Sequence, residues 1–152
     1  MLFADNYITA FIIKTFAFGV FGLGLEVIFS SIYSLFGWER AFSKYFARPG
    51  WMLGYSSAWY FPPYAGVYLL FYFLRQWIFW IPWFIRIPLY GVVFLIIEFV
   101  WMSFMKLFLK KTPSEDNYKK SKWNIRGMVR LDYYPFYCPA GLLMELLFLV
   151  MV

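Results

Sequence analysis

Residues 19–29 have the sequence Gly-Val-Phe-Gly-Leu-Gly-Leu-Glu-Val-Ile-Phe, an apolar run that carries one carboxylate, Glu26. The same pattern recurs at Glu98 and at Glu145, each within another apolar run. A charged side chain at the centre of a bilayer costs roughly 2.5–3.5 kcal/mol on insertion scales, so acids at such positions usually face other protein. The three glutamates therefore predict membrane helices that turn their polar groups toward the inside of a bundle.

The composition is typical of an integral membrane protein. The hydrophobic fraction is 63%, against roughly 45–50% apolar residues in ordinary soluble domains. So much apolar surface has to meet lipid or other protein. Four apolar segments approach the roughly 20 residues that a membrane helix needs. They are residues 15–36, 59–81, 88–109 and 133–152. We predict an all-α bundle of four transmembrane helices, forming a single transmembrane domain over residues 1–152.

The connections between the predicted spans differ in character. Residues 38–46 place aromatic side chains on one helical face and charged ones on the other, which predicts a short interfacial helix after the first span. The second connection is short, and Pro82 and Pro88 bracket it as the turn of a helical hairpin. The third connection, residues 110–132, is the only long polar stretch.

The basic residues predict the orientation in the membrane. Of the 14 lysines and arginines, only Lys14, Arg75 and Arg86 fall on the side of the second connection. The other eleven lie in or beside the first and third connections: Arg40, Lys44, Arg48, Lys106, Lys110, Lys111, Lys119, Lys120, Lys122, Arg126 and Arg130. Because basic loops stay in the cytoplasm, we expect both termini outside, in a bacterial cytoplasmic membrane. Asp5 and Lys14 are atypical of a cleaved secretory signal, so we expect an uncleaved first span.

Glycines precede the three acids on the same helical faces, at spacings of four or seven residues. These glycines are Gly19, Gly22, Gly91 and Gly141. Small residues let membrane helices approach closely, since lipid provides no hydrophobic drive for association. We therefore predict that the four glycines and the neighbouring acids lie in helix–helix contacts.

The three acids form a candidate intramembrane cluster of Glu26, Glu98 and Glu145. Arg130 is their candidate partner, because a helical third connection would place it on one face with Arg126. Two interpretations stay open. The carboxylates either tie three helices together by hydrogen bonds, or they bind a cation or a proton.

Several kinds of chemistry are excluded or disfavoured. The chain has no histidine and only one cysteine, Cys138, which excludes imidazole chemistry and a cysteine-pair metal site. We expect Cys138 to be a small packing residue. No phosphate-binding glycine loop and no catalytic triad occur. We expect no catalytic residues, no cofactor, no metal and no ATP on this chain.

A lysine-rich stretch flanks the third predicted span. It consists of Lys110, Lys111, Lys119, Lys120 and Lys122. Beside a membrane helix such a patch favours anionic lipid headgroups, at roughly 1 kcal/mol for each basic residue near the surface, or is simply a solvated cytoplasmic loop. Nucleic-acid binding is disfavoured for so short a patch.

Four motifs in order carry a family resemblance. They are Gly-Leu-Glu at residues 24–26, Gly-x-Ser…Trp-x-Phe-Pro-x-Tyr at residues 54–64, residues 90–98, and Trp-Asn-x-x-Gly-x-x-Arg-Leu-Asp-Tyr…Pro…Gly-Leu-x-x-Glu at residues 123–145. Together they resemble the small four-span membrane family labelled type IV ABC transporter (CmpB-like), which is similar to a group of animal transmembrane proteins. The resemblance implies four membrane helices. The lysine run at 119–122 and the doubled proline at 62–63 depart from the family pattern.

The resemblance implies that seven further residues at motif positions support the acids. These are Ser56, Trp59, Tyr64, Trp123, Asn124, Asp132 and Tyr133.

Three functions are consistent with these observations. A non-enzymatic accessory or assembly subunit of a larger membrane complex is favoured, because the 27% aromatic content predicts outward faces that meet other membrane subunits. A small transporter or channel component with an intramembrane carboxylate site for a cation or proton is the alternative. A lipid-modifying enzyme is the third, and the lack of histidine and of a recognisable nucleophile counts against it.

Overall fold

The computed structural model of the chain describes residues 2–35, 56–110, 112 and 114–152, and this part is mostly helical. Its helices are α1 (Leu2–Leu35), α2 (Phe61–Ile78), α3 (Trp83–Leu109), α4 (Glu115–Tyr118) and α5 (Tyr134–Met151). Short 3-10 turns, Ala58–Tyr60 and Leu131–Tyr133, lead into α2 and α5. Two short strands, β1 (Asn124–Ile125) and β2 (Val129–Arg130), form an antiparallel hairpin.

Three helical segments in the described part are long and apolar enough to cross a membrane. They are Asn6–Ile32, Trp83–Leu109 and Leu131–Met151. The second predicted span is not among them, because α2 includes Pro62, Pro63, Arg75 and Gln76 within its 18 residues. The predicted membrane class is thus supported by three helices. The predicted interfacial helix at 38–46 lies outside the described residues.

Helix α1 packs against α2 in an antiparallel pair. Gly19 and Gly22 make this approach possible, because a Cβ at either position would overlap the ring of Phe61 or of Tyr64. Further along the pair, the ring of Phe18 lies 5.2 Å from that of Tyr68. The glycine stripe of α1 therefore lies in the contact between two helices.

Helices α3 and α5 form the second antiparallel pair. A Cβ on Gly91 would overlap Tyr134 and the sulfur of Cys138, and one on Gly141 would overlap Tyr90. Cys138 is half-buried in this contact. The two pairs touch each other much less extensively than the helices within each pair, so a seam runs between them.

The turn between α2 and α3 ends earlier in the chain than predicted, because α3 begins before Pro88. The hairpin is present, but α3 begins at Trp83, directly after Pro82, and Pro88 lies inside the helix. The predicted third span, residues 88–109, therefore lies within a longer helix. Pro88 lies beyond the first turn of α3 and has no N–H to donate to the carbonyl of Phe84, four residues earlier.

The third connection contains the largest departure from the predicted all-α fold. Arg126 and Gly127 both have positive φ values, 54° and 68°, and Met128 donates its N–H to the carbonyl of Ile125 at 2.9 Å. Glycine adopts this left-handed conformation without strain. The segment therefore turns as a hairpin, and the helical face that would join Arg126 to Arg130 does not form. Arg126 is exposed and Arg130 is buried.

The helix contacts predict a specific stability difference between two glycines. Gly141→Ala should lower the free energy of unfolding by about 1–3 kcal/mol, because overpacking there forces Tyr90 and its helix to move. Gly24→Ala is the matched control, since a Cβ at Gly24 meets no described atom within 4 Å. Thermal unfolding in detergent should show a lower Tm only for Gly141→Ala. Equal Tm values for the two variants would refute the contact.

Candidate functional site

A cavity of about 240 Å³ lies in the seam between the two helix pairs. We call it the acidic cavity, because Glu26 of α1 and Glu98 of α3 both line it. The rest of its wall is mostly apolar or aromatic. Representative lining residues are Leu25, Ile28, Phe29, Tyr60, Tyr64, Phe94, Tyr118, Tyr133, Tyr137 and Leu143. Two of the three predicted acids thus line one cavity.

Glu98 is held by two phenols from different parts of the chain. Tyr118 of α4 donates its hydroxyl to Oε1, and Tyr137 of α5 donates to Oε2 at 2.7 Å. Burial, followed by the nearby Glu98 carboxylate, raises the pKa of Tyr118 well above its usual range, so this phenol keeps its proton. In the described part of the chain, Glu98 makes no ion pair with a basic side chain.

Glu26 is positioned by the segment that precedes α2. Ser56 donates its hydroxyl to Glu26 Oε2 at 2.6 Å, and the ring of Tyr64 packs against α1 at Gly22, one turn before the glutamate. Both Ser56 and Tyr64 were marked in the sequence as supporting residues. The carboxylate is half-buried.

Tyrosine rings form a corner of the acidic cavity around Glu98. The rings of Tyr118 and Tyr133 meet edge to face with centroids 5.7 Å apart, and those of Tyr133 and Tyr137 do so at 6.3 Å. Phe29 of α1 extends this wall, with its ring 4.9 Å from that of Tyr133. The Glu98 carboxylate therefore lies at the hydroxyl ends of two rings within a cluster of aromatic side chains.

The short helix α4 covers the cavity on the side of the third connection. The hydroxyls of Tyr60 and Ser114 are 2.5 Å apart. Glu115 holds α4 in place, because its carboxylate forms ion pairs with Lys106 of α3 at 3.2 Å and with Lys119 at 2.6 Å. These hydrogen-bonded lysines lower the pKa of Glu115 from its ordinary 4.5 to about 2.

Glu145 does not belong to the acidic cavity, so the predicted cluster of three acids was only partly right. Arg86 forms an ion pair with Glu145 at 2.9 Å, and Tyr90 donates its hydroxyl to the other oxygen at 2.5 Å. Both partners belong to α3, whereas Glu145 belongs to α5. This acid ties the second helix pair together, as the structural interpretation predicted for such groups.

The contacts described for Arg130 are with Asp132 and Tyr133, and it forms no ion pair with Glu98 or Glu145 in the part of the chain that the structure describes. Its guanidinium bonds to the carboxylate of Asp132 and donates to the Tyr133 hydroxyl at 3.0 Å. It also lies over the Tyr133 ring, 4.3 Å from the centroid. Arg130 attracts Glu98 electrostatically but forms no ion pair with it. It orders the tyrosine that lines the cavity.

The other supporting residues lie away from the cavity. The carbonyl of Trp59 accepts from the Trp101 indole at 2.8 Å, and Asn124 caps the hairpin turn by accepting from the Gly127 N–H at 2.9 Å. Trp123 is exposed, and Lys122 lies over its ring.

The predicted headgroup-binding lysines differ in their surroundings. Lys110, Lys120 and Lys122 are exposed, Lys119 bonds to Glu115, and Lys111 lies outside the described residues.

Several residues of the site were missed at the level of sequence. Tyr60, Ser114, Tyr118 and Tyr137 complete the acidic cavity, and Arg86 binds Glu145. A usable signal was present, because a tyrosine within an apolar segment needs a partner for its hydroxyl when it is buried. Its partner was not predictable, because Tyr137 and Glu98 are 39 residues apart in the chain.

Comparison of the chain with family models, with curated proteins and with solved structures gives no match. The resemblance to the four-span family therefore stays a prediction, and the geometry of the acidic cavity is the basis for any functional conclusion.

The ion pairs of Glu115 predict a pH dependence of stability. A carboxyl group whose pKa is lowered on folding stabilises the fold above its ordinary pKa, and this contribution is lost as the pH falls toward the lowered value. Glu115→Gln should therefore lower Tm at pH 7, and the gap to the wild type should close between about pH 4.5 and pH 2. Lys120→Gln, which removes an exposed lysine next to Lys119, is the control and should leave Tm unchanged. A gap for Glu115→Gln that stays constant over this pH range would contradict the assignment.

Proposed function

We propose that the chain is a small membrane transport or channel component, without enzymatic activity, that binds a cation in the acidic cavity. The observation that carries this proposal is the environment of Glu98. Its two oxygens accept hydrogen bonds from two phenols, and no described basic side chain forms an ion pair with it. A cation that enters the cavity would offset the cost of burying this carboxylate, since an isolated charge is unfavourable in a low-dielectric interior.

Two features of the cavity support cation binding over a purely structural role for Glu98. The first is the contrast with Glu145, a structural acid whose carboxylate is bonded to Arg86 and Tyr90 within a packed contact. Glu98 and Glu26 instead face a shared space of about 240 Å³, which exceeds the roughly 10–15 Å³ that a single water requires. Intramembrane acids that face a cavity mark ion or substrate sites by default.

We further propose that α2 is the fourth span, as the family resemblance implies. Its 18 residues give a length of about 27 Å at 1.5 Å per residue, near the roughly 30 Å of the hydrocarbon core. Arg75 lies in its last turn, from which a long basic side chain reaches the headgroups. Both termini would then lie outside, with the third connection in the cytoplasm of a bacterial cell.

Labelling with a carbodiimide tests the cation site. Dicyclohexylcarbodiimide should modify Glu98 in the purified chain, and potassium or tetramethylammonium should slow this reaction by occupying the cavity. Mass spectrometry of the labelled peptide gives the extent of modification. Glu145→Gln is the matched control and should leave labelling of Glu98 unchanged, because its ion pair with Arg86 lies outside the cavity.

Protection by at least one of the two cations is required by the proposal. If neither cation slows labelling, and proteoliposomes containing the chain take up neither rubidium nor tetramethylammonium faster than empty vesicles, the cavity does not bind cations.

A second function, an accessory subunit of a larger membrane complex, is favoured by the outer face of α2. Arg75 and Gln76 are exposed there, among large apolar side chains. Trp77 on the same face is 76% exposed. The side chain of Gln76 is shorter than that of Arg75, and an unpaired amide on the outside of a membrane helix is costly in lipid, so a partner subunit that covers α2 would stabilise it.

Photo-crosslinking distinguishes a covered α2 face from a lipid-facing one. A photoreactive residue in place of Trp77 should crosslink to a protein in native membranes. The same residue in place of Leu107 on α3, which is 80% exposed, should crosslink to lipid only. The accessory-subunit function is contradicted if both positions crosslink only to lipid.

A further inference from the structure

We infer that the cation bound in the acidic cavity is an organic ammonium whose nitrogen carries alkyl groups, with its charge facing Glu98 and its alkyl groups on the tyrosine rings. This inference rests on the proposed function, and it names the chemical class of the ligand.

The lining of the acidic cavity does not suit a metal ion. Calcium and magnesium take six or more oxygen ligands, and potassium sheds its water only where several oxygens replace it. In the described part of the chain, no group of three or more acidic, histidine or cysteine side chains comes together. Most of the lining is apolar or aromatic. A strongly hydrated ion would lose more water contacts there than Glu98 and Glu26 replace.

An alkylated ammonium suits the same lining. Such a cation is attracted by the faces of aromatic rings, and cages of rings are the usual means by which proteins recognise quaternary ammonium groups. The ring of Tyr133 stands nearly perpendicular to those of both Tyr118 and Tyr137, with interplanar angles of 84° and 86°. Glu98 bonds to two of these rings through their hydroxyls. The Glu98 carboxylate and the aromatic rings of the lining therefore lie together at one corner of the cavity.

The size of the cavity limits the ligand to a small group. Its volume of about 240 Å³ is below the roughly 300–1,000 Å³ of pockets that enclose drug-sized molecules. A trimethylammonium or similar headgroup is the kind of group that such a space takes.

The opening of the cavity indicates where an attached apolar chain would lie. Ile28 of α1 and Leu143 of α5 line the cavity and are also 58% and 43% exposed at the outer surface. On the side of the third connection, the hydroxyls of Tyr60 and Ser114, which both line the cavity, are bonded to each other. An apolar tail would therefore leave between α1 and α5, into the hydrocarbon. The alkylammonium group belongs either to a free organic cation or to a membrane lipid.

Calorimetry on the full chain in nanodiscs of phosphatidylglycerol, which contains no ammonium group, tests the inference. Tetramethylammonium should bind, and potassium at the same concentration should not. Glu98→Gln should weaken the affinity for tetramethylammonium at least about tenfold, as expected when a desolvated charge pair and its ring contacts are disturbed. Glu145→Gln should bind as the wild type does.

Two variants of one residue isolate the role of the ring. Tyr137→Phe keeps the π face and removes the hydroxyl, whereas Tyr137→Leu removes both. Tyr137→Leu should bind tetramethylammonium several-fold more weakly than Tyr137→Phe, provided that both unfold at similar temperatures. Equal affinities would overturn the role of the ring.

Nanodiscs of phosphatidylcholine distinguish the two sources of the ammonium group. If the ligand is a lipid headgroup, phosphatidylcholine should compete and lower the apparent affinity for tetramethylammonium. If it is a free cation, the affinity should be the same in both lipids. Either result supports an alkylammonium site.

The wild-type protein alone can overturn the inference without affecting the proposed function. Binding of potassium and protection of Glu98 by potassium, with no response to tetramethylammonium, would leave the cation site in place and exclude the alkylammonium class. No binding of either cation, together with carbodiimide labelling that neither slows, would overturn both.

Discussion

A carboxylate within a membrane helix has to find its hydrogen-bond donors inside the protein, because hydrocarbon supplies none. This requirement accounts for the contacts of the three glutamates in the described part of the chain. Glu26 joins α1 to Ser56 at the entrance to α2, Glu98 joins α3 to α4 and α5, and Glu145 joins α5 back to α3. Each acid thus fixes the position of a second segment, and the glycines beside them let the helices approach closely enough for these short bonds to form.

The same constraint is met in two chemically different ways. At Glu145 the donors are a guanidinium and a phenol in a packed contact, and the side chain is 3% exposed. At Glu98 the donors are neutral hydroxyls beside an open space. The first arrangement pairs the carboxylate with a positive charge within the protein, whereas the second holds it with neutral donors only. This difference separates a structural acid from a candidate binding acid.

The sequence predicted the membrane class, the positions of the acids and the closeness of the glycines, because these follow from composition and from the periodicity of one helix. It did not predict the partners. Arg86 and Glu145 are 59 residues apart, and only the antiparallel packing of α3 on α5 brings them together. Charge counting assigned Arg86 to the membrane surface, although its side chain is only 13% exposed. The hairpin around Gly127 was missed because a basic, polar segment with four-residue spacing is equally compatible with a helix.

The seam between the two helix pairs has a consequence for assembly. Each antiparallel pair has its own close contacts, and the acidic cavity is lined by residues of both pairs. A ligand in the seam touches both pairs and therefore favours the docked state by mass action. A ligand that binds in the seam would therefore stabilise the contact between the two helix pairs. Binding of the ligand and docking of the pairs would then be linked equilibria.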